Sequence, residues 1–226
     1  MKSAVITFPG SNCDRDAVDA LQKVGSKVQK IWHQESKLDD DLDLIIVPGG
    51  FSYGDYLRSG AMAAISPVML EIKRLANKGV RVAGICNGFQ ILTEAGLLPG
   101  ILLRNSGVKF ICREVLLSVE NTDSVFTSKY QKHQKIRLPI AHMDGNYFAD
   151  SEVLKKIEGN GQIAFRYVDE AGNYSAAANP NGSALNIAGI FNEKRNVLGM
   201  MPHPERAIDV NTGSADGLAM FEGLLA

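Results

Sequence analysis

Apolar positions along the chain switch between two spacings, one typical of buried strands and one typical of helices. Residues 4–8 (AVITF) are a short apolar-rich run followed by Pro-Gly-Ser-Asn. The run suits a buried strand and the four residues after it suit a turn. Ala17, Val18, Leu21 and Val24 then recur at helical spacing. Asp14 and Asp16 fall in the first turn of that helix, Ser11 or Asn12 can cap it, and Gly25 stops it. A second strand is predicted over 27–32 and a third over 42–47 (LDLIIV), which closes on Pro-Gly-Gly. So continuous an apolar run is expected of a strand covered on both faces. Ser66-Pro67 opens a helix with proline at its first position, and Gly79 ends it. Residues 80–85 form the fourth strand, and a helical pattern closed by Gly96 follows directly.

After Gly96 the rhythm changes. Strand-like runs at 115–119, 136–141, 163–167, 184–191 and 197–200 are separated by polar turns, of which Glu193-Lys194-Arg195-Asn196 is the clearest. Residues 214–225 read as a terminal helix capped by Ser214. Strands alternating with helices, then clustered strands, predict an α/β fold. The expected form is a doubly wound, mostly parallel sheet with helices on both faces and added antiparallel hairpins. No linker or repeat interrupts the chain, so one domain over 1–226 is expected.

Composition narrows the partners. With 226 residues, 45% of them hydrophobic, the chain can bury a sizeable core. Lys+Arg 24 against Asp+Glu 25 gives no reason to expect nucleic acid or an anionic membrane. No apolar run is long enough to span a bilayer, and the first strand is too short for a signal peptide. The three cysteines, Cys13, Cys86 and Cys112, are an odd and widely spaced set. That argues against a disulfide framework and for a reducing, cytoplasmic setting. Without a CxxC pair, and with four scattered histidines, no zinc motif is present.

One stretch carries chemistry. Gly84-Ile85-Cys86-Asn87-Gly88 sits at the join of the fourth strand and its helix. This G-x-C-x-G pattern is the thiol form of the nucleophile elbow. Glycines on both sides allow close backbone approach, and the helix N-terminus favours a thiolate and a nearby oxyanion. The Asn87 N–H is a candidate oxyanion donor. A buried structural cysteine is the plain alternative. A thiol nucleophile needs a base, and the base an orienting group. His203 follows an apolar strand, has prolines on both sides, and has Glu205 two residues on. On an extended segment that spacing puts both side chains on one side. A third element, Val47-Pro48-Gly49-Gly50-Phe51, places glycine N–H groups at a strand end, so Gly50 or Phe51 can give a second oxyanion contact. Cys13 and Cys112 are expected to be structural, His33 and His133 to lie at the surface, and Trp32 to pack.

These three elements together resemble the triad-type (class I) glutamine amidotransferases. The carrying residues are Gly84-Ile85-Cys86-Asn87-Gly88-Phe89-Gln90, the Pro-Gly-Gly loop at 48–50 and His203-Pro204-Glu205. The resemblance covers nearly the whole chain. It implies that L-glutamine is hydrolysed to glutamate and ammonia through a thioester on Cys86. His203 would be the general acid/base and Glu205 its orienter, with oxyanion N–H groups from Gly50 and Asn87. Gln90 and Phe51 would contact the substrate. The resemblance is strongest to subunits that feed ammonia to a synthetase of purine biosynthesis. It implies no cofactor or metal in this chain. ATP and magnesium would belong to the partner synthetase, with a small bridging subunit beside it. Arg58, Arg104, Asn105 and residues 142–147 are surface candidates for that contact. In this last segment the family usually follows the histidine with Gly-Glu-Gly, whereas here Met143-Asp144-Gly145 follows His142. A stand-alone γ-glutamyl hydrolase or peptidase, or a non-catalytic binding subunit of the same fold, are the alternatives.

Overall fold

The structure is a computed structural model that describes residues 1–225. The first half alternates strands and helices: β1 (Lys2–Thr7), α1 (Asp14–Lys23), β2 (Lys27–Trp32), β3 (Leu44–Val47), α2 (Ala61–Ala64), α3 (Pro67–Asn77), β4 (Arg81–Ile85) and α4 (Asn87–Glu94). The second half is richer in strands: β5 (Ile101–Leu103), β6 (Ile111–Val119), β7 (Lys135–His142), β8 (Asn146–Phe148), α5 (Ser151–Gly159), β9 (Ile163–Val168), β10 (Ile187–Phe191), β11 (Val197–Met200) and α6 (Leu218–Gly223).

Nine strands join one sheet in the order β2-β1-β3-β4-β11-β10-β9-β6-β7. Its first five strands are parallel neighbours, and from β11 onward every pairing is antiparallel. The expected hairpins are therefore a continuation of the same sheet, and among the described residues only β5 and β8 pair apart from it. The all-apolar β3 is buried at every position, as its uninterrupted run requires. Helix α1 packs on β1 and β2, while α4 packs on β4, β3 and β11.

Several local expectations are corrected by side chains that bond within their own turns. Helix α1 begins at Asp14 with Cys13 in the cap position, because Ser11 Oγ accepts the Phe8 N–H instead (3.0 Å). Ser214 caps no helix: its Oγ accepts the Asp216 N–H (3.1 Å), and α6 begins only at Leu218. Residues Ala184–Asn186 form a 3-10 turn ahead of β10. His33 is buried, not at the surface. Its Nδ1 pairs with Tyr53 Oη at 2.8 Å and its ring stacks on Phe8.

Candidate active site

The parallel half of the sheet delivers four strand exits to one edge, in the order β1, β3, β4, β11. Each exit carries one part of a site. Cys13 follows β1, Gly49 and Gly50 follow β3, Cys86 follows β4, and His203 and Glu205 follow β11. Ligands bind at this carboxyl edge in open α/β sheets. Register makes the meeting close: Gly84 pairs with Val47 on one side and Gly199 on the other, and the Cys86 N–H bonds Met200 O at 2.7 Å.

Cys86 has φ 53° and ψ −107°, a left-handed conformation that a non-glycine residue adopts only under strain. The elbow exists because its glycines let backbone touch backbone. A methyl on Gly88 would run into the Val47 carbonyl, and one on Gly84 would sit 2.6 Å from the Gly88 carbonyl oxygen. Cys86 is buried, 5% exposed. Its Sγ lies 3.7 Å from the Ala141 carbonyl oxygen of β7.

His203 and Glu205 do not sit on an extended segment. Residues Pro204–Arg206 form a 3-10 turn, and that turn brings Glu205 Oε1 to 2.6 Å from His203 Nδ1. Both residues are buried, and the His203 N–H is fixed on Pro139 O at 2.9 Å. With Nδ1 paired to Glu205, the other ring nitrogen, Nε2, is buried with no hydrogen-bond partner of good geometry among the described residues. Burial alone pushes the imidazole down. The Glu205 carboxylate and the Cys86 sulfur outweigh it and hold the proton affinity well above that of a free imidazole.

Around this pair the loops supply donors and walls. Among the described residues, neither the Gly50 N–H nor the Asn87 N–H has an acceptor. Gln90 sits one turn into α4 with both ends of its amide committed. Its Nε2 donates to Asp144 O (2.6 Å) and its Oε1 accepts from Asn87 Nδ2 (2.9 Å). Gln90 thus ties the elbow helix to the 142–147 turn. Phe51 is half exposed, while its N–H is held by Gly10 O at 2.9 Å. Asp144 accepts Ser59 Oγ–H (2.7 Å) and the Arg104 Nε–H (3.2 Å).

Sequence reasoning misplaced three residues: Asn105 and His142, expected at a contact surface, are buried, and Cys13 is not merely structural packing. Asn105 is no surface contact but is buried. Its Nδ2 donates to Lys109 O and His142 O, and its Oδ1 accepts the Gly145 N–H at 3.0 Å. His142, paired with Asn105 at 3.1 Å, is pushed down to about 4 by burial and by the positive charge of nearby His203. Cys13, expected to be structural, faces His203 and accepts a hydrogen bond from Arg206 Nη2 (3.2 Å). No linear signal joins residue 13 to residue 203. Cys112 and His133 are exposed, and Trp32 is partly exposed against His33.

Fold and site together define the class, and comparison agrees. Residues 1–216 match the CobB/CobQ-like glutamine amidotransferase domain, and the chain belongs to this family. It is a glutamine amidotransferase. It is 58% identical over 224 residues to phosphoribosylformylglycinamidine synthase subunit PurQ of Novosphingobium aromaticivorans, covering 99% of this chain and 96% of that protein. The subunit PurQ of Zymomonas mobilis is also 58% identical, over 100% of this chain and 98% of the relative. The solved structure of PurLQS from Thermotoga maritima superposes with a TM-score of 0.88 at 47% identity, covering 99% of this chain and 97% of that one. A second solved glutamine amidotransferase from Thermotoga maritima shares the fold at 12% identity and a TM-score of 0.59, over 100% of this chain and 96% of that one. No helix among the described residues is long and apolar enough to cross a membrane.

Proposed function

We propose that this chain is the glutamine-hydrolysing, PurQ-type subunit of a phosphoribosylformylglycinamidine synthase, releasing ammonia for conversion of formylglycinamide ribonucleotide to formylglycinamidine ribonucleotide. The observation that carries the mechanism is the strained Cys86 elbow beside a His203–Glu205 pair 2.6 Å apart. Cys86 Sγ attacks the carboxamide carbon of L-glutamine while His203 Nε2 takes the thiol proton. The tetrahedral oxyanion is held by the N–H groups of Gly50 and Asn87, and losing one such donor typically costs ~10²–10³ in rate. His203 returns the proton to the leaving nitrogen, and ammonia departs. Water, deprotonated by His203, then attacks the γ-glutamyl thioester and frees glutamate and the thiol. Glu205 holds the ring in the tautomer that both steps need. Gln90 and Phe51 shape the wall and mouth of the glutamine pocket.

Ammonia lost to solvent is wasted, so a docked consumer follows from the chemistry. Exposed apolar side chains are candidates for such a contact: Tyr56 and Leu57, in the loop that follows Phe51, are 74% and 90% exposed. PurLQS is the precedent for a PurL-type synthetase with a small PurS-type partner. ATP and magnesium are assigned to that synthetase, and a reducing cytoplasm suits three free thiols. The test is ammonia release from glutamine by wild type and Cys86→Ala, each with and without the synthetase subunits. Release that needs Cys86 and rises with the partners supports the proposal. Turnover by Cys86→Ala refutes the mechanism, and activity indifferent to the partners favours a stand-alone γ-glutamyl hydrolase.

A further inference from the structure

The turn that makes the His203–Glu205 pair is short. Pro204–Arg206 is a single 3-10 turn, and Glu205 reaches Nδ1 of His203 only while that turn keeps its place. One hold on it from outside is Arg206, whose guanidinium reaches back to the start of α1. Its Nε donates to Asp16 Oδ2 at 2.9 Å and its Nη2 to Cys13 Sγ at 3.2 Å. The Asp16 bond lies near the surface, where such pairs hold little. Cys13 is 2% exposed. Its backbone N–H bonds Gly49 O at 3.2 Å, and its S–H donates to Asn12 Oδ1 at 3.0 Å. Cys13 thus ties together the exits of β1, β3 and β11. Its Sγ, one ring nitrogen of His203 and one carboxylate oxygen of Glu205 all lie within 4.8 Å of one another. Glu205 Oε2 and His203 Nε2 are buried there without a hydrogen-bond partner among the described residues.

We propose that Cys13 is a positioning residue for glutamine hydrolysis: its sulfur anchors Arg206 in the interior and so keeps the Pro204–Arg206 turn where Glu205 meets the imidazole of His203. A thiol suits this place. With its S–H on Asn12, it accepts from the guanidinium without bringing a second carboxylate to the imidazole. An apolar side chain would leave Nη2 without that acceptor in a buried setting. The sulfur also belongs to the surroundings of the ring. The titratable groups that face His203 are Glu205 from its own turn, Cys86 from β4, Cys13 from β1 and His142 from β7. Burial lowers the proton affinity of His203, Glu205 and Cys86 raise it, and the Cys13 contact adds to the rise. Loss of the sulfur therefore both loosens the turn and makes the ring release its proton at lower pH. The consequence for rate rests on the proposed glutaminase function, whereas the hold on the ring does not.

The test compares wild type, Cys13→Ala and Cys13→Ser as full chains assembled with the synthetase subunits. Active centres are counted by labelling Cys86 with a chloroketone analogue of glutamine, so that unfolded chain does not enter the rate. Cys13→Ala should lower kcat by about tenfold or more with KM within about threefold of wild type, because the residue touches the pair and not the substrate. Cys13→Ser keeps a donor for Asn12 and an acceptor for Arg206, and should recover kcat to within about threefold of wild type. In the free chain, NMR of labelled histidines should show the His203 ring titrating at lower pH in Cys13→Ala than in wild type, and near the wild-type position in Cys13→Ser. If Cys13→Ala misfolds by circular dichroism, Cys13→Val replaces it, since valine fills the space but accepts nothing from Arg206. A folded alanine or valine variant with wild-type kcat, equal losses in the apolar and serine variants, an effect confined to KM, or a His203 titration unmoved by the apolar variant would overturn the proposal. A wild type that releases no ammonia would overturn the glutaminase reading instead, and the His203 titration, read without glutamine, would still decide the role of Cys13.

Discussion

Replacing Gly49 by alanine tests how tightly the site is built. The new methyl would lie 2.8 Å from His203 Cε1, 3.0 Å from Cys13 Sγ and 3.4 Å from Cys86 Cβ. Carbon atoms prefer separations of ~3.5–4.0 Å, so the ring must retreat by about 0.7 Å or more. It cannot retreat freely, because Glu205 holds Nδ1 and Pro139 O holds the His203 backbone N–H. A misplacement near 1 Å at a reacting group costs on the order of 10²-fold in rate. That corresponds to about 2.7 kcal/mol of barrier. The expected outcome is a kcat for glutamine hydrolysis reduced ~10²-fold with KM little changed. The obstacles are side chains, so the variant should fold. Gly88→Ala is the contrast, since its methyl meets the Val47 backbone carbonyl and should prevent folding. Steady-state ammonia release in the assembled complex, with a thermal melt beside it, decides the matter. A folded Gly49→Ala with kcat within about threefold of wild type would refute the claim that the imidazole is sterically fixed.

Glu205→Gln keeps the shape of the side chain but no longer holds Nδ1 protonated as a carboxylate does. A fall in kcat of roughly 10²–10⁴ is expected in the same assay with circular dichroism unchanged. Asn105→Ala strips partners from Lys109 O, His142 and the Gly145 N–H in a buried setting. At ~1–3 kcal/mol per group left unsatisfied, a loss near 3 kcal/mol in urea unfolding is expected, with a raised KM for glutamine. Asp55 has its carboxyl pushed up to about 6 by burial and by the Asp144 charge. The folded chain then holds this proton more tightly than the unfolded chain, so the favourable contribution is complete below the ordinary carboxylate range and is lost as pH rises through about 6. Asp55→Asn should therefore raise Tm near neutral pH, with the gain vanishing toward about pH 4 by scanning calorimetry. A gain independent of pH would show that Asp55 is not the group responsible.

Most of the parallel half was legible because its elements are built from neighbours in sequence. The apolar run of β3, the Ser66-Pro67 start of α3 and the strand–Cys86–helix join each carry their own signature. The His203–Glu205 partnership was also legible, though the turn that creates it was not, since Pro204 suits an extended exit as well as a first helical position. Helix starts near Ser11 and Ser214 were misplaced because a hydroxyl can bond a nearby turn as readily as a cap.

What sequence alone determined was the class of fold, the elbow thiol and its imidazole–carboxylate pair, because each depends on residues a few positions apart. Tertiary structure alone decided which other groups share the site. Asn105 became a buried tether, His142 a suppressed base near His203, and Cys13 a second sulfur beside the imidazole. Those contacts are set by the sheet order β1-β3-β4-β11, which lines up strand exits up to 190 residues apart, the separation of residues 13 and 203. Local patterning encodes each strand, but which exits become neighbours is settled only when the strands pair.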